Sequence, residues 1–146
     1  MFGDWRLATP FISPNVCRLA LSFTYDMSKF KFQALEVWQL AIAITDKLLD
    51  IADRLSEDKK YRFAEQLNGA ALSISNNIAE GSGSVSSKEF AHYLNIAHRS
   101  VFENANILVV LERRKIISDI ELADYLEELD KLARKLTNLR KYLLKI

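Results

Sequence analysis

Little in this sequence can staple, break or metallate a fold: its 146 residues include one cysteine, two prolines, four glycines and two histidines. Cys17 cannot form an internal disulfide and has no cysteine or histidine at metal-ligand spacing, which fits a reducing cytoplasm. Both prolines, Pro10 and Pro14, precede residue 15, so the rest of the chain lacks the breakers that an all-β fold with many turns requires. No apolar run approaches the roughly 20 residues needed to span a bilayer. The N-terminus also lacks the cationic start and unbroken apolar stretch of a signal peptide. The expectation is a soluble, cytoplasmic protein with no membrane partner. An excess of one charge is missing too, since 20 basic and 19 acidic residues nearly cancel. That argues against a dedicated nucleic-acid binder and restricts any such surface to a local patch.

What remains is a chain long enough for one domain with a real core, written largely in helical periods. Residues 1–29 stand apart: Pro10 and Pro14 interrupt an apolar stretch with no sustained period, and Asp26-Met27-Ser28 forms a break. This is an N-terminal arm. Met27-Ser28-Lys29-Phe30 has the form of a natural start, so two readings stand: translation from Met27, or a flexible N-terminal extension. The bundle domain is residues 30–146.

From Leu35 to Leu55, Trp38, Ala41/Ile42, Leu48/Leu49, Ala52 and Leu55 form one stripe opposite Asp46, Lys47, Asp50 and Arg54, which predicts an amphipathic helix. Ser56 or Asp58 is placed to cap the next helix. The second helix is expected from about Lys59 to Glu80 on a stripe of Ala64, Leu67, Ala71, Ile74 and Ile78, with Gly81 as the residue just past its end. From Gln66 to Ala79 it carries no charge, and Gly69 with Asn76-Asn77 lowers its intrinsic helicity, so packing must hold it. Gly81 to Ser87 reads as a loop, with Ser86 or Ser87 opening a third helix that runs to about Arg114. Its stripe is Phe90, Leu94, Ala97, Val101, Leu108 and Leu111. Ile96, Ile107 and Val110 fall off that stripe, as on a helix buried on more than one side. After a turn at Ile116 to Ser118, Leu122, Leu126, Leu129, Leu132, Leu136, Leu139, Leu143 and Ile146 approach a heptad seam. Residues 118–130 hold six acids and no base, and residues 131–146 six bases and no acid, a distribution that complements the helix macrodipole. Short connections between these helices predict an all-α, antiparallel up-down-up-down four-helix bundle.

Leu35-Glu36-Val37-Trp38-Gln39, Gln66-Leu67, Ser73-Ile74 and Asn77-Ile78-Ala79-Glu80-Gly81 resemble a bacterial family, the four-helix-bundle proteins encoded in 23S ribosomal RNA intervening sequences. Phe90, Tyr93-Leu94, Ile96-Ala97, Ser100 and Glu103 follow at the family's spacing. The resemblance implies a ring-like homo-oligomer, a pentamer, with no established enzymatic activity. It also implies kinship with the accessory variability determinant proteins of diversity-generating retroelements, whose basic surface engages nucleic acid and a reverse transcriptase. Family members commonly carry an arginine pair after the Gln-Leu, a proline after the Ser-Ile and a basic residue after the glycine loop. Here Asn68-Gly69, Ser75 and Ser84 occupy those places, removing cations that would pair with phosphate.

Other motifs favour packing over chemistry. Glu89 and His92 have the Glu-x-x-His form of di-iron bundles, but no second pair exists and both are expected to point away from the interior. Asn77 and Glu80 are expected to hydrogen-bond a neighbouring helix or loop, Trp38 and Gln39 to serve core and interface, and Glu103 to partner a basic residue on another helix or subunit. Lys131, Arg134, Lys135, Arg140, Lys141 and Lys145 are the candidate contacts for RNA or DNA, against a solvated face as the commoner outcome. No catalytic set, cofactor site or metal site can be assembled, and Gly81-Ser82-Gly83 is no phosphate loop by itself. The sequence therefore points to a non-enzymatic homo-oligomeric interaction scaffold. The alternative is an RNA- or DNA-binding accessory protein in a reverse-transcriptase or ribosomal RNA context.

Overall fold

The computed structural model describes residues 30–145. The N-terminal arm, with Cys17 and both prolines, and the terminal Ile146 lie outside the described residues. A short 3-10 turn, Lys31–Ala34, leads into four helices: α1 (Glu36–Glu57), α2 (Tyr61–Ser82), α3 (Ser87–Arg113) and α4 (Asp119–Leu143).

The stripes predicted from spacing are the ones that meet. Ala41, Leu48, Ala52 and Leu55 of α1, Leu67, Ala71, Ile74 and Ile78 of α2, Leu94, Ala97, Val101, Leu108 and Leu111 of α3, and Leu129, Leu132 and Leu136 of α4 are buried in one core. Trp38, Phe90, Leu122, Leu139 and Leu143 pack at its margin. Of the residues off the α3 stripe, Ile107 joins the same core, Ile96 is half-buried and Val110 is exposed.

Cross-links between helices fix their direction. Glu36 pairs with Lys135, Lys47 with Glu128 and Arg54 with Glu121. As the numbering climbs along α1 it falls along α4, so the two are antiparallel. Gln66 to Glu103 and Ser73 to Ser100 give the same sense between α2 and α3. Exposed ion pairs add little stability individually. Their value here is register, because each forms at only one offset of the two helices.

The helix ends depart from expectation in several places. Neither Ser56 nor Asp58 caps α2; Lys60 occupies the N-cap and makes no side-chain cap bond. The reason is the end of α1: Lys59 turns left-handed at φ 60°, and the amide of Lys60 donates to the carbonyl of Leu55. This closes α1 in a Schellman-type turn that consumes the residues available for capping. The C-terminus of α3 repeats the device, with Lys115 at φ 59° and Ile116 donating to Leu111. Gly81 does not end α2 either. The helix continues through Ser82, and Gly81 is a buried interior position with a negative φ. Its lack of a side chain serves packing, as a Cβ there would stand 2.6 Å from Phe90 Cδ2 and 2.7 Å from Tyr93 Cβ. Of the two serines offered for the start of α3, Ser86 is the cap, and Ser118, read only as part of a turn, caps α4. Each hydroxyl accepts from the amide three residues on, and Glu121 completes a capping box at the start of α4.

Candidate interaction surface

The residues that carry the family pattern mostly build joints between helices. Val37 and Ile78 are buried, and Ala79 is half-buried. Trp38 is half-buried at the start of α1, its ring 4.9 Å from that of Phe32, and Gln39 Nε2 donates to the Gln33 carbonyl at 2.9 Å. Both residues therefore brace the entry turn against α1.

The seam between α2 and α3 gathers the rest. Gln66 Nε2 donates to Glu103 Oε1 at 2.8 Å, so the partner of Glu103 is an amide on the neighbouring helix rather than a base. Asn77 Nδ2 reaches the Ser73 carbonyl (2.7 Å) and hydroxyl (3.1 Å), and the Ser73 and Ser100 hydroxyls meet at 2.8 Å. Asn77 thus braces its own helix and reaches α3 only through Ser73. Glu80 is exposed: its carbonyl accepts from the Gly83 amide at 3.0 Å, and its carboxylate makes no hydrogen bond to another described residue.

This polar line ends at a residue the pattern reading overlooked. Asn104 sits between Val101 and Leu108 on the apolar stripe of α3, where a leucine would be expected by spacing. It is 0% exposed, its Nδ2 donates to the Ser100 carbonyl at 2.8 Å, and its Oδ1 has no hydrogen-bond partner. The signal was available as an amide at a core position with three-four spacing on both sides.

The basic residues of α4 divide into two groups. Lys135 pairs with Glu36 of α1 at 2.8 Å, and Arg134 with Asp130 one turn earlier at 2.5 Å. Lys131, Arg140, Lys141 and Lys145 are exposed and form no ion pair with another described residue. Glu89 and His92 are both exposed on α3. Among the described residues, no group of three or more His, Cys, Asp or Glu side chains is placed to hold a metal ion.

Charged contacts shift titration at Glu121, Lys47 and Lys115. The Ser118 amide, and after it the Arg54 guanidinium, hold the Glu121 carboxyl below the usual carboxylate range. The hydrogen bond to Glu128 holds Lys47 above its ordinary value. A carboxylate with a depressed folded pKa contributes stability above its unfolded value, and loses it as pH falls through the lower folded value. Thermal melts of Glu121→Gln should therefore show a flatter loss of Tm than wild type as pH drops from about 5 through the ordinary carboxylate value near 4.3. Parallel curves would count against this role for Glu121.

Besides Phe30, Tyr61, Val85, Val109, Val110 and Leu144, apolar side chains are exposed at three places on the bundle. On α2, Leu72 is 44% exposed between the exposed Gly69 and Asn76, inside the stretch without charge. Between α3 and α4, Phe102 is 61% exposed beside Ala105 and Leu126. At the two ends of α4, Ile120 and Tyr142 are exposed as well. No helix among the described residues is long and apolar enough to cross a membrane.

A protein with unknown function from the S23 ribosomal protein family of Bacteroides thetaiotaomicron has the same fold: the TM-score is 0.55 at 22% sequence identity, over 75% of this chain and 95% of that one. No curated protein matches. The pattern common to 23S rRNA-intervening sequence proteins matches residues 33–138, which spans all four helices up to the last turns of α4. With this match covering most of its length, the chain belongs to the 23S rRNA-intervening sequence protein family.

Proposed function

We propose that this protein is a non-enzymatic interaction scaffold that works in the cytoplasm as a ring-like homo-oligomer, a pentamer. The observation that carries this reading is the outer face of α2. Leu72 is exposed there in a stretch from Gln66 to Ala79 that has no charge, a composition suited to contact with protein rather than water. Gly69 supports it: a Cβ at that position would meet nothing within 4 Å, so nothing in the bundle itself requires a glycine that weakens the helix. Close approach of a helix from another copy would require one. Sedimentation velocity at micromolar concentration should give a mass several times that of the chain, and Leu72→Lys should reduce it. A wild-type monomer would overturn the proposal.

The second reading, an RNA- or DNA-binding accessory protein, is favoured by the exposed Lys131, Arg140, Lys141 and Lys145. Because Lys135 is committed to Glu36, charge reversal at Lys131 and Lys141 is the cleaner probe. Under this reading a single-stranded RNA binds wild type in a salt-dependent way and binds Lys131→Glu/Lys141→Glu at least about tenfold more weakly. A reverse transcriptase would be a protein partner of the same assembly.

A further inference from the structure

The outer face of α4 carries a second seam that the monomer leaves open. Ile120, Asp124, Glu127, Lys131, Arg134 and Asn138 recur at alternating intervals of four and three, and all are exposed. That is the spacing of a helix-to-helix contact, yet the positions hold charge, acidic before residue 131 and basic from there on. The macrodipole acts only over the first and last turns, so it accounts for neither Glu127 nor Lys131. Local pairing accounts for them only in part: Glu127 stands four residues before Lys131, the favourable order, yet no ion pair joins the two among the described residues, and Asp124 beside Glu127 and Glu128, like Lys131 beside Arg134 and Lys135, is repulsive on an isolated helix. On the side facing α1 these repulsions are offset, since Glu121, Glu128 and Lys135 are each paired with a residue of α1. On the outer face the one ion pair among described residues is Arg134 with Asp130, within α4 itself.

A surface that is acidic along one half and basic along the other is complementary to itself when reversed. Parallel pairing would set like charge on like, and a nucleic acid would be repelled by the acidic half. We propose that the outer face of α4 is a two-fold contact between two copies of this chain, with the two α4 helices antiparallel. With the axis midway between Glu127 and Lys131, Glu127 faces Lys131 of the second copy and Asp124 faces Arg134, and symmetry repeats each pair. The same register sets Ile120, 72% exposed, opposite Asn138. Asn138 lines a cavity of about 350 Å³ between α3 and α4, together with Phe102, Thr137 and Lys141. Ile120 enters that cavity as the apolar anchor, and the charges set orientation and encounter rate.

This inference rests on the self-association proposed above but uses a different face. A ring built through α2 repeats one contact head to tail, whereas the α4 contact is two-fold, so both together place two rings back to back. The test uses two full-length variants, an acidic one (Lys131→Glu/Arg134→Glu) and a basic one (Asp124→Lys/Glu127→Lys). Circular dichroism establishes that each retains wild-type helicity. In sedimentation velocity at low salt, each variant alone should show half the wild-type mass, and an equimolar mixture should restore it. The restored species should weaken at least about tenfold between 50 and 500 mM salt. Helical variants that keep the wild-type mass, or a mixture that fails to restore it, would overturn the α4 contact. So would a basic variant whose only gain is tighter binding of single-stranded RNA. The ring reading fails separately: Leu72→Lys then leaves the mass unchanged while the α4 variants still halve it.

Discussion

Gly81→Val is expected to destabilise the bundle by about 3 kcal/mol or more, read from urea or thermal unfolding. The side chain would be built into a gap that is already closed, with Phe90 Cδ2 at 2.6 Å and Tyr93 Cβ at 2.7 Å from the first added carbon. The Phe90 ring can swing aside, but Tyr93 Cβ is fixed to the backbone of α3. The two helices must therefore separate, and packed interiors resist that because they have few voids to collapse into. Gly69→Ala in the same helix should act in the opposite direction. It meets nothing within 4 Å, so the monomer gains about 0.5–1 kcal/mol from helix propensity alone. If the two changes gave the same sign, close approach at Gly81 could not be the reason for that glycine.

Asn104→Leu is expected to stabilise the protein by about 1–2 kcal/mol. The substitution removes a buried acceptor without a partner, whose burial costs about 1–3 kcal/mol, and gives up one hydrogen bond worth roughly 1 kcal/mol. Leucine branches at the same atom as asparagine, so no cavity opens, and the extra room its two methyl groups need keeps the gain at the low end of that range. Asn104→Asp should be the more severe change, costing several kcal/mol at neutral pH because an unpaired carboxylate would be buried. Burial raises the folded pKa of such a group, so the folded state binds the proton more tightly and stability is regained as pH falls. The protonated acid could donate to the Ser100 carbonyl, as Asn104 Nδ2 does now. Urea midpoints at pH 7 and pH 5 against wild type measure this. Recovery on acidification would support the assignment, and a pH-independent loss would oppose it.

The cost of Asn104 bears on what the polar line between α2 and α3 contributes. Ser73 and Ser100 meet at only one offset of the two helices, and a leucine seam alone would tolerate neighbouring offsets. Buried polar contacts of this kind trade stability for a defined register. Gln66 with Glu103 and the fit of Gly81 against Tyr93 mark the same offset further along. This places Gln66, Ser73, Gly81, Tyr93, Ser100 and Glu103 of the family pattern in the alignment of α2 with α3.

Spacing alone determined the four helices, the apolar stripe of each and the antiparallel order. These follow from a period that repeats many times, with short connections between helices. The start of α3 was legible to within Ser86 or Ser87, because a hydroxyl and a glutamate three residues apart are a local chemical signal, and the same signal stands at Ser118 and Glu121, a place read only as a turn. Three things depended on the tertiary structure. Gly81 reads as a helix stop until Phe90 and Tyr93 are seen against it, since a glycine can serve either a turn or a close approach. Asn104 and the Ser73–Ser100 contact depend on which faces meet, as does the loss of Lys135 from the basic run to Glu36. The last is the split of the α4 charges into an inner set neutralised by α1 and an outer set that is not. Composition along the chain records the sign of each residue, but only packing decides which of them remain for a partner.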